Sequence, residues 1–300
     1  MAGVPRNPGA EAVRAKGWWR ANKWLVARRV TQSGILALFL AGPWLGWWIV
    51  KGNLASSLTL GVLPLTDPLV LIQLLLTRHL PETAAFTGAL IVVGFYLLAG
   101  GRVYCAWVCP INMVTDAAEW LRHRLGLKGG VSLTRHTRHW LLAAILILAA
   151  VTGTLAWELV NPVTAVFRGL VFGMGLAWGV VAALFLLDLL VGRRLWCGHL
   201  CPVGAFYGLL GRGSVLRVSA AGREKCDDCL DCFAVCPEQQ VIRPALKGAP
   251  HGVGPVILSG DCTNCGRCID VCARGVFRFS NRFDNRTTTH DVGHKREVLT

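Results

Sequence analysis

Charge is what this sequence lacks. Only 16% of its 300 residues are Asp, Glu, Lys or Arg, and the mean hydropathy is +0.48, whereas a soluble globular domain carries charge on roughly a quarter of its residues. Composition therefore argues against an ordinary soluble domain. Acids are the scarcer sign, 17 against 31 Lys and Arg, for a formal net charge of +14. The basic excess crowds residues 1–29, 102–138 and the chain after 188. That distribution reads as a topology signal rather than a basic groove with stacking aromatics, which excludes nucleic acid as a partner. No Cys-x-x-Cys-His occurs, so c-type haem attachment is excluded. His123, His136, His139 and His199 make no i, i+4 pair of the haem-ligating kind within an apolar stretch, which disfavours haem b. The long apolar stretches also lack the buried charged residues that form ion paths, which argues against a transporter.

What the chain does have is twelve cysteines in four short groups. Cys226, Cys229, Cys232 and Cys236, followed by Pro237, repeat the C-x2-C-x2-C-x3-C-P spacing of bacterial two-cluster ferredoxins. Cys262, Cys265, Cys268 and Cys272 repeat the spacing with Ala273 in place of the proline. In such runs three cysteines wrap one cubane and the fourth reaches the neighbouring cluster. The spacing therefore predicts one [4Fe–4S] cluster on Cys226, Cys229, Cys232 and Cys272, and a second on Cys262, Cys265, Cys268 and Cys236. Zinc also favours C-x2-C spacing, but it pairs two knuckles and has no need of the third cysteine or the trailing C-x3-C. A disulfide framework is the other alternative, and it weakens because the set falls on the side read below as reducing.

Four uncharged stretches, residues 30–50, 83–101, 140–157 and 169–187, each have about the length a helix needs to cross the hydrocarbon core of a bilayer. With positive residues marking the inner side, both termini are expected in the cytoplasm of a multi-pass protein of the bacterial inner membrane. The first stretch reads as a retained helix rather than a cleaved signal, since it carries Pro43 and a belt of Trp44, Trp47 and Trp48 and ends without a small-residue cleavage site. The apolar region 54–77, cut by Pro64, Asp67 and Pro68, reads as an outer interfacial or re-entrant piece. The expected fold class is thus an α-helical membrane domain of four transmembrane helices in two parallel pseudo-repeats, followed by a small α+β bacterial 2[4Fe–4S] ferredoxin-like domain. The expected segments are 1–29 (basic, cytoplasmic), 30–210 (membrane domain), 211–283 (ferredoxin-like, entered by a Gly/Ser-containing connector over 211–225) and 284–300 (polar tail). Within the ferredoxin-like part, Pro244, Gly248, Pro250, Gly252, Gly254 and Pro255 mark a loop insertion, and residues 256–258 a short strand.

An internal repeat organises the first part. Residues 101–110, GRVYCAWVCP, match 193–202, RRLWCGHLCP, with an arginine three residues before the first cysteine and an aromatic directly before it. Upstream, Asp67-Pro68 and Asn161-Pro162 each open a short apolar piece. Proline after the second cysteine suits a first helical position, which places Cys109 and Cys201 at helix N-termini, where thiolates are stabilised. Three readings stand for Cys105, Cys109, Cys197 and Cys201: an additional cluster or metal site on the pseudo-axis, two redox dithiols, or packing as small hydrophobes. Asp67, Arg78, His79, Glu82, Glu158 and Asp188 are the titratable residues near the apolar stretches, and quinol oxidation needs a proton acceptor beside an apolar pocket.

The doubled Cys-x-x-x-Cys-Pro, Arg28-Arg29 with Gln32, and the C-terminal two-cluster runs together resemble the NapH/MauN family of membrane ferredoxin-type proteins, over about residues 28–283. The resemblance implies that the eight cysteines of the two runs are cluster ligands. It also implies a quinol-dehydrogenase subunit of a periplasmic nitrate reductase type of system, fed by the quinol pool and working with a ferredoxin-type (NapG-like) or cytochrome redox partner. It supplies no role for Cys105, Cys109, Cys197 and Cys201. The alternative function is an electron-donating assembly factor for a metalloenzyme.

Overall fold

The structure, a computed structural model, describes residues 7–127, 129–131, 133–173 and 175–284. The expected polar tail from 285 onward lies outside the described residues.

The chain opens with α1 (Ala10–Lys16) and α2 (Trp18–Leu45), followed by an antiparallel meander of β1 (Val50–Gly52), β2 (Ser56–Thr59) and β3 (Leu63–Thr66). Two similar series follow. The first is α3 (Pro68–Leu76), α4 (Thr83–Ala99), α5 (Val103–Trp107) and α6 (Ile111–Arg124). After α7 (Thr137–Thr152) and α8 (Ala156–Val160), the second is α9 (Pro162–Phe172), α10 (Gly175–Leu186), which runs on into a π-helical turn over Leu187–Val191, a further π turn over Trp196–Leu200, and α11 (Pro202–Gly211). The repeat is visible in the caps: Asp67 Oδ1 accepts from Leu69 N at 3.0 Å to start α3, and Asn161 Oδ1 accepts from Val163 N at 3.0 Å to start α9, each with proline at the first helical position. The two series exchange partners. Helix α6, after the first cysteine pair, packs on α10, and α11, after the second, packs on α4 and α7.

The four expected membrane spans are corrected here: among the described residues no helix is long and apolar enough to cross a membrane. Helix α4 has 17 residues, α7 16 and α10 12; at about 1.5 Å per residue, 17 residues reach roughly 25 Å, short of a hydrocarbon core of about 30 Å. The stretch 140–157 is cut at Gly153 and the stretch 169–187 at Gly173, both in the left-handed region that ends a helix (φ 67° and 66°). The longest helix, α2, has 28 residues, but its first half carries Arg20, Lys23, Arg28 and Arg29. A four-helix membrane domain, a multi-pass placement in the inner membrane with cytoplasmic termini, and the membrane as a partner are therefore not supported. The high hydropathy lies partly on the outside of short helices, where Leu90, Phe95, Ile147, Val151 and Phe172 are exposed. The region 54–77, expected as an outer interfacial or re-entrant piece, forms strands and a short helix: Pro64 sits in β3, and the apolar run after Pro68 is the capped helix α3.

The C-terminal part is built on β4 (Leu216–Ser219), α12 (Asp231–Val235), α13 (Ile242–Lys247), α14 (Arg267–Val271) and β5 (Arg278–Asn281), with β4 and β5 antiparallel. The expected connector over 211–225 thus contains a buried strand. Arg217, 1% exposed, donates to the carbonyls of Ser214, Gly211, Arg212 and Ser259. The expected loop insertion forms α13, whose Ile242, Ala245 and Leu246 pack into one core with Val218, Ile257 and Val271. The strand expected at 256–258 is a single bridge, Val256 to Ser219.

Candidate functional site: three sets of cysteine thiols

In each ferredoxin-type run the backbone enters the left-handed region twice, two and four residues after the first cysteine: Asp228 (φ 61°) and Leu230 (φ 63°), then Asn264 (φ 45°) and Gly266 (φ 72°). These turns bring three thiols of a run to one side, and short helices α12 and α14 carry the chain on to the fourth. Cys236 and Cys272 both leave in extended conformation (ψ 128° and 108°), so Ala273 makes the same exit as Pro237. One small cavity is lined by Cys226, Cys229, Cys232 and Cys272, and another by Cys236, Cys262, Cys265 and Cys268. The fourth cysteine of each run stands at the other run's cavity. Among the described residues no three His, Cys, Asp or Glu side chains converge closely enough to hold a single metal ion; the thiols instead surround cavities, a donor set that fits iron–sulfur clusters. Backbone hydrogen bonding to sulfur is present, with Val276 N donating to Cys272 Sγ at 3.3 Å.

Gly266 has a further reason to be glycine. A Cβ there would lie 2.5 Å from Trp24 Cγ, and Trp24 packs edge-on against Phe279 and Trp107. Gly266→Ala combines this clash with backbone strain of about 1–2 kcal/mol. We expect it to lower the melting temperature and loosen α2, read as faster amide exchange around Trp24, while the corresponding Leu230→Ala leaves both nearly unchanged.

The N-terminal basic segment, expected as a flank, instead grips the cysteine turns. Gly9 N donates to Asp231 Oδ2 (2.9 Å), Lys16 Nζ donates to the carbonyls of Ile269 (2.8 Å) and Cys272 (3.1 Å), and the Asp270 carboxylate accepts from Trp24 N and Leu25 N.

Cys105 lies on α5, Cys109 just ahead of Pro110 at the start of α6, and Cys197 and Cys201 on and just after the second π turn, with Cys201 as the N-cap of α11. The four thiols share one neighbourhood. Cys109 feels the charges of Cys105 and Cys201, and Cys197 those of Cys201, Cys109 and Cys105. The expectation of stabilised thiolates at helix N-termini is corrected by burial. It pushes the Cys201 thiol up to about 12 and those of Cys109 and Cys197 up as well, outweighing the N–H groups of Val203 and Gly204 at α11 and of Ile111 and Asn112 at α6. Arg28 and Gln32 brace the first loop: Arg28 Nε and Gln32 Nε2 both donate to the Ala106 carbonyl at 3.0 Å, and Gln32 Nε2 also reaches the Cys109 carbonyl at 3.2 Å.

The repeated arginines take different partners. Arg194 pairs with Asp116 (2.6 Å) and Glu119 of α6; although burial raises the Glu119 carboxyl, Arg194, His123 and Arg193 bring it down to about 2. Arg102 turns to the C-terminal part. Its guanidinium, 2% exposed, donates to Glu238 Oε1 (2.5 Å), the Asp261 carbonyl (3.3 Å) and the Cys197 carbonyl (3.1 Å). Beside it, Trp107 Nε1 donates to the Asn264 carbonyl (3.2 Å) and Asn264 Nδ2 donates to the Ala99 carbonyl (3.1 Å). The loops of the thiol quartet are therefore bonded directly to the turn holding Cys262 and Cys265. Neither this seam nor the N-terminal grip was visible in the sequence; the arginine shared by both repeat copies was the one signal available.

Paired thiol-lined cavities on a small α+β unit, joined to a further thiol quartet, define an iron–sulfur electron-transfer protein of the ferredoxin type. A family model described as a 4Fe–4S dicluster domain matches residues 225–276, and one described as a 4Fe–4S binding domain matches 82–128 and 163–220, the segments that carry the doubled Cys-x-x-x-Cys-Pro. The chain belongs to the NapH/MauN family: it is 48% identical to the ferredoxin-type protein NapH of Haemophilus influenzae and 49% to that of Escherichia coli, in each case over 95% of this chain and 99% of the relative. It is also 55% identical to the methylamine utilization ferredoxin-type protein MauN of Methylorubrum extorquens, over 91% of this chain and 94% of the relative. No solved structure matches the chain.

Proposed function

We propose that the chain takes electrons from a quinol and passes them, along three thiolate-held [4Fe–4S] clusters, to a redox partner of a respiratory system of the nitrate reductase type. Cys105, Cys109, Cys197 and Cys201 would hold the first cluster, Cys236, Cys262, Cys265 and Cys268 the second, and Cys226, Cys229, Cys232 and Cys272 the third. Each cluster, when bound, stores and releases one electron.

The observation that carries this reading is the seam of Arg102, Trp107 and Asn264, which binds the loops of the quartet to the turn of the second thiol set. The second and third sets in turn exchange their fourth cysteines, which supports a path in which each set adjoins the next. Arg102 also places a buried cation near sulfurs of both neighbouring sets, Cys201 and Cys262, where it favours the reduced, more negative state of whatever is held there. The far end of this path is the accessible one. Cys229 is exposed, beside Asp227 and Asp228, which suits docking of a ferredoxin-type or cytochrome partner.

Anaerobically purified protein is expected to contain about twelve irons and twelve acid-labile sulfides per chain and to be reduced by a quinol, followed by electron paramagnetic resonance. Zinc in place of iron would overturn the reading. Continuous quinol oxidation with an added acceptor separates it from an assembly factor, which needs no sustained turnover.

A further inference from the structure

The chain has three tyrosines, and all of them meet at one wall. Tyr104 and Tyr207 stack at 4.9 Å with their rings 18° apart, and Tyr96 stands edge-on to both, at 6.2 and 5.0 Å. In front of this wall opens a cavity of about 450 Å³ with apolar sides that include Phe39, Val92 and Val108. Its rim carries Leu38, Ile91 and Phe95, all exposed. Behind the wall, Tyr104 is followed in the chain by Cys105, and Cys105, Cys109 and Cys201 pack on the same core as the three tyrosines.

One charged side chain, Asp67, lines this cavity among the described residues. Its Oδ1 takes both of its hydrogen bonds, from Leu69 N at 3.0 Å and from Tyr207 Oη at 3.2 Å. Oδ2 takes none from the described residues. Capping α3 does not require a carboxylate, because Asn161 makes the same cap for α9 in the second repeat copy. An acid stands where an amide would serve, on the wall of an aromatic-lined cavity and hydrogen-bonded to one of the tyrosines on whose core Cys105, Cys109 and Cys201 pack.

Resting on the quinol reading above and locating its site, we propose that this cavity binds the quinol ring and that Asp67 Oδ2 accepts the proton of its inner hydroxyl. Oxidation of one quinol to quinone releases two electrons and two protons. Two oxidised [4Fe–4S] clusters held on the thiol sets would supply the acceptors for these electrons, one each. The inner proton goes to Asp67, and the outer one to water at the rim. Burial pushes the Asp67 carboxyl up to about 6, against the hydrogen bonds from Leu69 and Tyr207, which suits a general base at neutral pH. The titratable groups facing it are Tyr207 of α11, Tyr96 of α4 and Tyr104 of α5, all kept neutral because burial raises them, and Glu158 of α8, whose charge raises Asp67 further.

The test uses the cluster-loaded full chain with menadiol as donor and menadione as binding probe. Asp67→Asn keeps the cap, so dithionite reduction and menadione binding are expected to be unchanged, while menadiol-driven reduction slows about a hundredfold or more. The wild-type rate is expected to rise with pH through about 6, and the Asp67→Asn profile to be flat there. Leu38→Trp, which fills the rim, is expected to abolish menadione binding. Wild-type speed in Asp67→Asn overturns the proton role, and this holds also where Leu38→Trp blocks binding, since the cavity is then an apolar site without proton chemistry. Undiminished menadione binding in Leu38→Trp overturns the location. A wild-type chain reduced by dithionite and never by menadiol brings down the quinol reading itself and this site with it.

Discussion

Cys201→Ser protein is expected to hold about eight irons per chain where the wild type holds about twelve, and to lose quinol-driven reduction of the remaining clusters while dithionite still reduces them. Four half-buried thiols drawn from two distant loops have little to offer one another as thiols. Burial holds Cys201, Cys109 and Cys197 protonated, and each would repel the others if ionised. Iron inverts that arrangement, because metal binding displaces the protons and neutralises the sulfurs at once. Removing one of four ligands removes the group. The eight cysteines of the C-terminal part lie in other turns, with their own core around Val218, Ile242 and Val271, and are expected to keep their irons. Iron and sulfide analysis with electron paramagnetic resonance checks this. Twelve irons in Cys201→Ser, or an unchanged quinol-driven rate, would take the quartet out of the path.

How far the sequence reached depends on whether neighbouring residues or distant ones decide the structure. The cysteine turns were legible because spacing dictates them: three thiols at every third position, closed by a fourth from the partner run, assemble wherever the backbone can enter the left-handed region, and Asp228, Leu230, Asn264 and Gly266 do so. The Asp67-Pro68 and Asn161-Pro162 turns that open short apolar pieces were legible for the same local reason, and the structure adds that both side chains cap the helices that follow. The long apolar stretches misled because hydropathy averaged over a window does not register a single residue with positive φ. Gly153 and Gly173 cut two of the expected spans into shorter helices, and the charged first half of α2 shortens the apolar part of a third.

Distant pairings left almost no local trace. Lys16 and Gly9 belong to a segment that reads as a charged flank, yet their partners lie more than 200 residues along the chain. Arg28 and Gln32 carried the family resemblance without a stated reason; they hold the carbonyls of the first cysteine loop. The three tyrosines are spread from position 96 to 207, so only the fold shows that they form one wall with Asp67 at its edge.

Arg102 carries the second large prediction. Arg102→Met removes a buried cation that Glu238 shares with Arg135 and Arg138, and breaking such a pair costs about 3–5 kcal/mol, with the remaining arginines holding the loss near the lower figure. Stability alone would not single this residue out, because Arg194→Met breaks two largely buried pairs, to Asp116 and Glu119. The difference lies in what each guanidinium joins. Arg194 binds two elements of the helical part, whereas Arg102 spans the Cys197 carbonyl and the chain on either side of the second thiol set, at Glu238 and Asp261. Arg102→Met should therefore slow electron passage from quinol to the C-terminal clusters by about 10–100-fold, the usual cost of losing an outer-shell partner. Loss of the positive charge should also move the reduction potential of the second cluster downward, because the reduced cluster is the more negative form. Arg194→Met should lower the melting temperature comparably and, because its charge also acts on Cys236 of the second set, move that potential the same way, while electron passage to the C-terminal clusters slows far less than in Arg102→Met. Rapid mixing with menadiol, set beside a potentiometric titration of both variants, separates a residue that joins the two electron-carrying parts from one that mainly holds its own part together.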